Sequence, residues 1–460
     1  MADGTEGATS APWAALLPVV AALTVWNLVH PAPAAVIVAG ALTLLLIVRQ
    51  WHRVVPQMRM LGLLLGALAL LALPFSPTPG ASLLRGIGIG ILMASLVSAV
   101  SLLARVALRS RQIDVVTAYL LARGTRSRYL LFSIACQLFA GMLGLAGAQL
   151  MMSMAAQDDS AAPDDRLAMF LAITRGFSSA TLWSPMFSNA AVLLVLYPGL
   201  TWFAMLPLGI ALAAACVAIG QVLDRWRLRK RPAEPEADPG LPVWGALATL
   251  LVPMSAFLAA VIGLSWALGM QITGAVIALS PAAALALHFV LAPRGDRRQA
   301  WRRFAADVRQ LPAQASEITL FMAAGCGGTV LASAIPPAWA AAAGTVLAVH
   351  PLLALLALML CVLALALIGV HPVLSAVLVA SAFPPALVHL PLLPHLCAVL
   401  VGWALAGAVS PFSIANLMAS RYAGVSVQAI SLRANSLFSL LCLALAVAVL
   451  GGVAAALSQP

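Results

Sequence analysis

Apolar runs of span length recur through this chain from one end to the other, and they leave few folds open. Each is about 17–25 residues long, the length a helix needs to cross the hydrocarbon core of a bilayer. Of the 460 residues, 63% are hydrophobic and 8% charged, which is too little polar surface for a water-soluble protein of this size. A membrane β-barrel is excluded too, because it shows short segments of alternating polarity. The chain therefore reads as an all-α polytopic membrane protein.

Net charge is +11, a value that in a soluble chain would point to nucleic acid. Here the arginines gather between spans, at 49–59, 105–128, 225–231 and 294–309. By the positive-inside rule these stretches are cytoplasmic, so the expected surroundings are a lipid bilayer, the bacterial cytoplasmic (inner) membrane, and no nucleic acid. The first twelve residues carry Asp3 and Glu6 but no Lys or Arg. Residues 13–30 thus read as a retained first span with a cytoplasmic N-terminus, not as a signal peptide. Cys136, Cys216, Cys326, Cys361, Cys397 and Cys442 are scattered singly, without CxxC or histidine at ligand spacing, and read as small core residues. No metal or cofactor is expected.

Two matching segments organise the interior. SPMFSNAAVLLVLYPG begins at Ser184 and SPFSIANLMASRYAG at Ser410; each opens on Ser-Pro, carries an Asn within two turns and closes on Tyr-x-Gly. Helix-breaking polar punctuation at corresponding places in two membrane-buried halves points to a transporter's binding site. The breaks interrupt helices expected at 167–197 and 396–422. Ahead of each, residues 129–155 hold Gly141, Gly144 and Gly147, and residues 354–380 hold Gly369-Val370-His371-Pro372, so two re-entrant hairpins are preferred over straight spans.

Spans at 13–30, 33–48, 60–75, 83–104 and 201–223 complete the first half, and spans at 243–264, 271–292, 318–335 and 437–457 the second. The total is about eleven transmembrane helices and two hairpins. The boundaries expected are 1–32 for an extra N-terminal helix, 33–223 for a first repeat, 224–242 for a solvated cytoplasmic linker and 243–460 for a second repeat. Counting spans places the repeats in opposite orientations, an inverted 5+5 arrangement. The acidic loop 158–165 falls on the cytoplasmic side in this scheme, and acids weigh little in orientation.

This architecture, with Pro185 and Asn189 in one half and Pro411 and Asn416 in the other, resembles the ion transporter superfamily of divalent-anion:sodium symporters and arsenite permeases. The Ser-Asn-Thr signature of the divalent-anion symporters is absent; Ser188-Asn189 and the stretch from Ser410-Pro411 to Asn416 are the nearest matches. The resemblance implies elevator-type movement of a hairpin-bearing core, within a homodimer.

Candidate binding residues for substrate or ion are Ser184, Ser188, Asn189, Ser410, Ser413 and Asn416 at the breaks, where half-helix ends present freed N–H and C=O groups. Arg175, nine residues before Ser184, is a candidate for an anion; its alternative is a topology anchor, as for Arg421. His371 at the second hairpin tip is a candidate for substrate or proton, and His389 and His395 are expected at the interface. Asp and Glu lie only in expected loops or at span edges, which disfavours a proton relay through buried carboxylates. The function read is secondary active transport of a small anionic solute, an organic acid or an oxyanion, with Na+ or H+ as coupling ion. The alternative is a membrane subunit of a binding-protein-dependent uptake system. A membrane-embedded enzyme or a lipid-handling scaffold ranks behind both, because paired Asp, HExxH and nucleotide-binding motifs are absent.

Overall fold

The structure is a computed structural model that describes residue 13, residues 15–110, 112–158, 161–229, 240, 242–292 and 296–458. Every regular element among these residues is helical. Among the described residues, eight helical segments are long and apolar enough to cross a membrane, and shorter apolar helices accompany them. The chain is a polytopic helical membrane protein. The N-terminal twelve residues and most of the linker, 230–239 and 241, lie outside the described residues.

Two compact units emerge, and each draws on both halves of the chain. Unit 1 takes the described residues of Met1–Arg109, Leu194–Leu196 and Ala256–Pro336; unit 2 takes Ser110–Leu193, Tyr197–Ser255 and Pro337–Pro460.

Unit 1 contains α1 (Leu16–Val29), α2 (Pro33–Arg49), α3 (Pro56–Ala72) and α4 (Pro79–Ala107). Pro at the first helical position of α2, α3 and α4 sets φ where the N–H has no partner anyway. Helix α4 is the hub and packs against α1, α2, α12 (Ile272–Leu291) and α14 (Ala315–Ser333). Between membrane helices apolar burial drives little association, so close approach and hydrogen bonds decide the packing. At the α4/α14 crossing a Cβ on Gly86 would lie 2.6 Å from Cys326 Cα, and one on Gly325 would lie 2.7 Å from the Gly86 carbonyl. Thr329 Oγ1 donates across this contact to the Ser82 carbonyl at 3.0 Å, and Thr24 pairs with Ser95 at 3.1 Å. The basic stretch expected as a loop is instead helix α13 (Arg297–Arg309), because its apolar residues Ala300, Phe304 and Val308 recur at helical spacing.

Unit 2 holds two similar series. One runs α5 (Gln112–Leu121), α6 (Thr125–Leu143), α7 (Leu145–Ala155), α8 (Pro163–Ala180), α9 (Ser188–Leu196, its last turn in unit 1) and α10 (Trp202–Arg227). The other runs α15 (Pro337–Leu347), α16 (Pro351–Leu367), α17 (Pro372–Ala382), α18 (Leu392–Val409), α19 (Ile414–Ala423) and α20 (Asn435–Leu457). Helix α11 (Val243–Ala267) lies between the series in sequence and is shared by the two units. Short α15 and α5 add to the expected spans, α5 falling within the basic stretch 105–128. Neither is long enough to register as a span.

Glycine with positive φ turns each helical hairpin, Gly144 (60°) between α6 and α7 and Gly369 (94°) before α17. Positive φ recurs at Gly199 (101°) and Gly424 (69°), which explains why both matched segments close on glycine. Helix α10 continues past the expected linker start at 224 to Arg227, with Asp224 buried and paired to Arg227 at 3.0 Å. The acidic loop is held by the same basic ends: Arg128 pairs with Asp158 at 2.9 Å and Arg227 with Asp165 at 3.1 Å. Its place beside basic residues thus has an electrostatic cause. Of the cysteines, Cys361 is exposed and departs from the core reading.

The glycine crossing in unit 1 yields a test. Gly86→Ala pushes a methyl into backbone and should destabilise the protein by about 1–3 kcal/mol. Gly88→Ala meets nothing within 4 Å and should be neutral or slightly stabilising. Thermal unfolding of both variants in detergent checks the contrast.

Candidate functional site

The site grows from the two Ser-Pro breaks, both in unit 2. Helix α8 stops at Ala180 and α9 resumes at Ser188; α18 stops at Val409 and α19 resumes at Ile414. Pro185 and Pro411 offer no N–H, so neither break can close as a helix. The serine ahead of each proline makes the same two bonds. Ser184 Oγ donates to the Gly141 carbonyl and accepts from Met186 N at 3.1 Å. Ser410 Oγ donates to the Ala366 carbonyl at 2.8 Å and accepts from Phe412 N at 3.2 Å. Gly141 and Ala366 lie in the last turns of α6 and α16, and the Ala366 carbonyl also accepts from Gly369 N at 3.3 Å. Each broken helix is therefore latched to the tip region of its own hairpin.

The two asparagines behave differently. Asn416 is fully buried, and its Nδ2 donates to the Ala408 carbonyl at 2.8 Å, the Ser410 carbonyl at 2.9 Å and the Gly407 carbonyl at 3.4 Å. These are the carbonyls freed where α18 ends, so the amide nitrogen serves the backbone. Its Oδ1 is buried without a partner. Asn189, 5% exposed, makes no side-chain hydrogen bond among the described residues. Ser188 and Ser413 stand at the openings of α9 and α19, half-buried, and no side chain caps either helix start. Two uncapped half-helix N-termini thus adjoin two buried asparagines, and the unpartnered Asn416 Oδ1 costs stability unless something else occupies it.

Arg175 is buried on α8 and none of its bonds goes to a carboxylate. Nε donates to Asn435 Oδ1 at 2.8 Å, Nη1 to Tyr129 Oη at 3.1 Å and Nη2 to the Ala434 carbonyl at 2.8 Å, and the guanidinium lies 4.8 Å over the Phe438 ring. Ala434 ends a π-helical turn, Ala429–Ala434, a widened turn of the kind that frees backbone groups. Asn435 passes the connection on: its Nδ2 donates at 3.0 Å to the Ala408 carbonyl that Asn416 also reaches. One turn along α8, Ser178 faces Gly407 with its Oγ buried and unpartnered. Asn435, Ser178 and Tyr129 were not singled out from sequence. An asparagine within an otherwise apolar final span was the available signal for Asn435.

Histidines divide. His371 caps α17, its Nδ1 accepting from Val373 N at 3.3 Å. His395 is not interfacial as expected but completely buried. Its Nε2 donates to the Phe383 carbonyl at 2.7 Å, and its Nδ1 meets Tyr197 Oη at 2.6 Å. A carbonyl can only accept, so Nε2 carries a hydrogen, and in the neutral tautomer Nδ1 accepts from Tyr197 Oη. Tyr197 belongs to the first matched segment. Its counterpart Tyr422 stacks on Phe170 at 6.2 Å, and Phe170 precedes His395 by the same 225 residues that separate the tyrosines. Each segment's tyrosine therefore rests on the broken helix of the other half. Arg421 is exposed in the last turn of α19.

The serine latches predict a pair of effects. Ser184→Ala and Ser410→Ala each remove the side-chain hydrogen bond that ties a break to its hairpin helix and should lower stability by about 0.5–1.5 kcal/mol, less for Ser410→Ala because the Ala366 carbonyl keeps Gly369 N as a donor. Asn435→Leu removes an acceptor from the buried guanidinium and should cost at least as much. Unfolding temperatures of the three variants in one detergent are the check.

No family model matches this chain, and no curated protein does. Its fold is similar to that of the YdaH transporter of Alcanivorax borkumensis, whose crystal structure is described as having an unusual topology. The two share 17% identity at a TM-score of 0.55 over 85% of this chain and 97% of that one.

Proposed function

We propose that the protein is a secondary active transporter for a small anionic solute, an organic acid or an oxyanion, with sodium as the coupling ion. The observation that carries this reading is the pair of breaks in unit 2, each with an uncapped half-helix start and a buried asparagine with bonding capacity to spare, Asn416 through its unpartnered Oδ1 and Asn189 through a side chain with no hydrogen bond among the described residues. The likeness in fold to a transporter supports the class.

Anion selectivity follows from charge. Arg175 carries a buried positive charge that neutral partners solvate, and both half-helix N-termini add positive potential. Asn416 Oδ1 is a neutral oxygen ligand of the kind a hard monovalent cation accepts beside backbone carbonyls. In this scheme Asn189 and Ser188 serve the solute, Asn416 and Ser413 the ion, and Arg175 positions the second break through Asn435. His371 sits at a hairpin turn where opening and closing would be sensed. Unit 2 is the moving body of an elevator-like cycle, and the two series of helices around the breaks are inverted repeats whose hairpins are re-entrant. The protein then resides in the inner membrane, as a homodimer.

Thermal stabilisation of the purified protein tests the reading, with carboxylates, sulfate, arsenite and other oxyanions each supplied with and without sodium. A ligand at a hundred times its Kd stabilises by about 2.7 kcal/mol. The expected result is a shift with one anion that grows with sodium and vanishes in Asn189→Ala and Asn416→Ala. No shift across the panel, or an equal shift in both variants, contradicts it.

A further inference from the structure

Unit 1 holds a groove of about 660 Å³, bounded by α1, α4, α12 and α13, and none of its lining residues belongs to the breaks described above. Leu17, Ala21 and Trp26 line it from α1, Ser98 from α4, Pro281 from α12 and Phe304 from α13. Its serines are already bonded, Ser98 to the Ala94 carbonyl and Ser95 to Thr24, so the walls present apolar surface. The α1 stripe runs from Leu17 to His30, about 20 Å at 1.5 Å per residue. One bilayer leaflet is about 15 Å deep in hydrocarbon, so the groove has the length of an acyl chain. Ala22 and Trp26 are exposed, which leaves the groove open along α1.

Helix α13 closes one end and is firmly placed. Its Asp307, 1% exposed, accepts from Arg109 Nη2 at 2.7 Å and from His288 Nε2 at 2.9 Å, tying α13 to α4's end and to α12. Phe304 and Val308 turn to the groove. Arg298, Arg302 and Arg309 fall in one stripe of the helix beside Trp301, are exposed, and form no ion pair among the described residues. Trp301 is 52% exposed and packs edge-on against Phe289 and Phe304. An arginine-faced amphipathic helix carrying an exposed tryptophan suits the headgroup level of a membrane.

The geometry points to a bound anionic phospholipid, its phosphate on the Arg298, Arg302 and Arg309 stripe and an acyl chain along α1. Charge complementarity selects this occupant over a second copy of the chain, which would bring the same arginines against themselves. Such a lipid joins α1, α4, α12 and α13 and stabilises unit 1 independently of any solute.

The test uses the full chain, delipidated in mild detergent and then supplied with phosphatidylglycerol or phosphatidylcholine. Native mass spectrometry reads lipid occupancy and thermal unfolding reads stabilisation. Phosphatidylglycerol should bind in preference and raise the unfolding temperature. Combined substitution Arg298→Gln, Arg302→Gln and Arg309→Gln should weaken it roughly a hundredfold, from about fivefold per arginine near an anionic headgroup. Ala22→Trp, at an exposed position, should fill the groove and abolish retention of both lipids while the lipid-free protein unfolds at the wild-type temperature. Equal binding of the two lipids, retention undiminished in either variant, or an Ala22→Trp protein that changes only its oligomeric state would overturn the assignment.

Discussion

Unit 2 depends on how freed backbone groups are satisfied where water is scarce. A helix interrupted inside a membrane protein exposes carbonyls and N–H groups that cost several kcal/mol each if left bare. Ser184 and Ser410 meet that demand in the same way, each joining its break to a carbonyl at the end of a hairpin helix and to an N–H two residues on. Each break is thereby joined to its hairpin, and under the proposed function that bond would carry the effect of a bound solute to the hairpin. The tyrosines extend the principle across the halves, Tyr197 onto His395 and Tyr422 onto Phe170.

Backbone symmetry coexists with side-chain asymmetry, and the asymmetry carries the chemistry. Asn416 spends its nitrogen on the end of α18 and keeps one oxygen free, whereas Asn189 spends nothing. Arg175 has Leu400 at the equivalent place in the second half, so the buried positive charge occurs once. The His395–Tyr197 hydrogen bond is replaced in the other copy by an aromatic stack whose tyrosine is 39% exposed. Two similar frameworks thus hold unlike partners, which is the difference that the proposed pairing of one solute with one ion draws on.

Much of this was legible in the chain. Span-length apolar runs and the twin Ser-Pro segments placed the breaks correctly, because proline and glycine act locally and leave a mark at a fixed position. Short helices α5 and α15 escaped because ten or eleven residues fall below a span's length. The Arg175 network escaped for a different reason: its partners Tyr129 and Asn435 are distant in sequence, and only packing brings them to one guanidinium. His395 sits in a proline-rich turn that reads as surface, yet a tyrosine from the other half buries it. The division into units was invisible too, since each collects helices from both halves.

Flux through the reconstituted protein is the most direct measurement. With the stabilising anion supplied at equal concentration on both sides of a vesicle, an imposed sodium gradient should drive its accumulation, and Asn416→Ala should abolish the sodium dependence while leaving the protein folded. Accumulation that ignores the sodium gradient, or an Asn189→Ala, Asn416→Ala double variant that transports at the wild-type rate, would contradict the claim that the two breaks hold solute and ion.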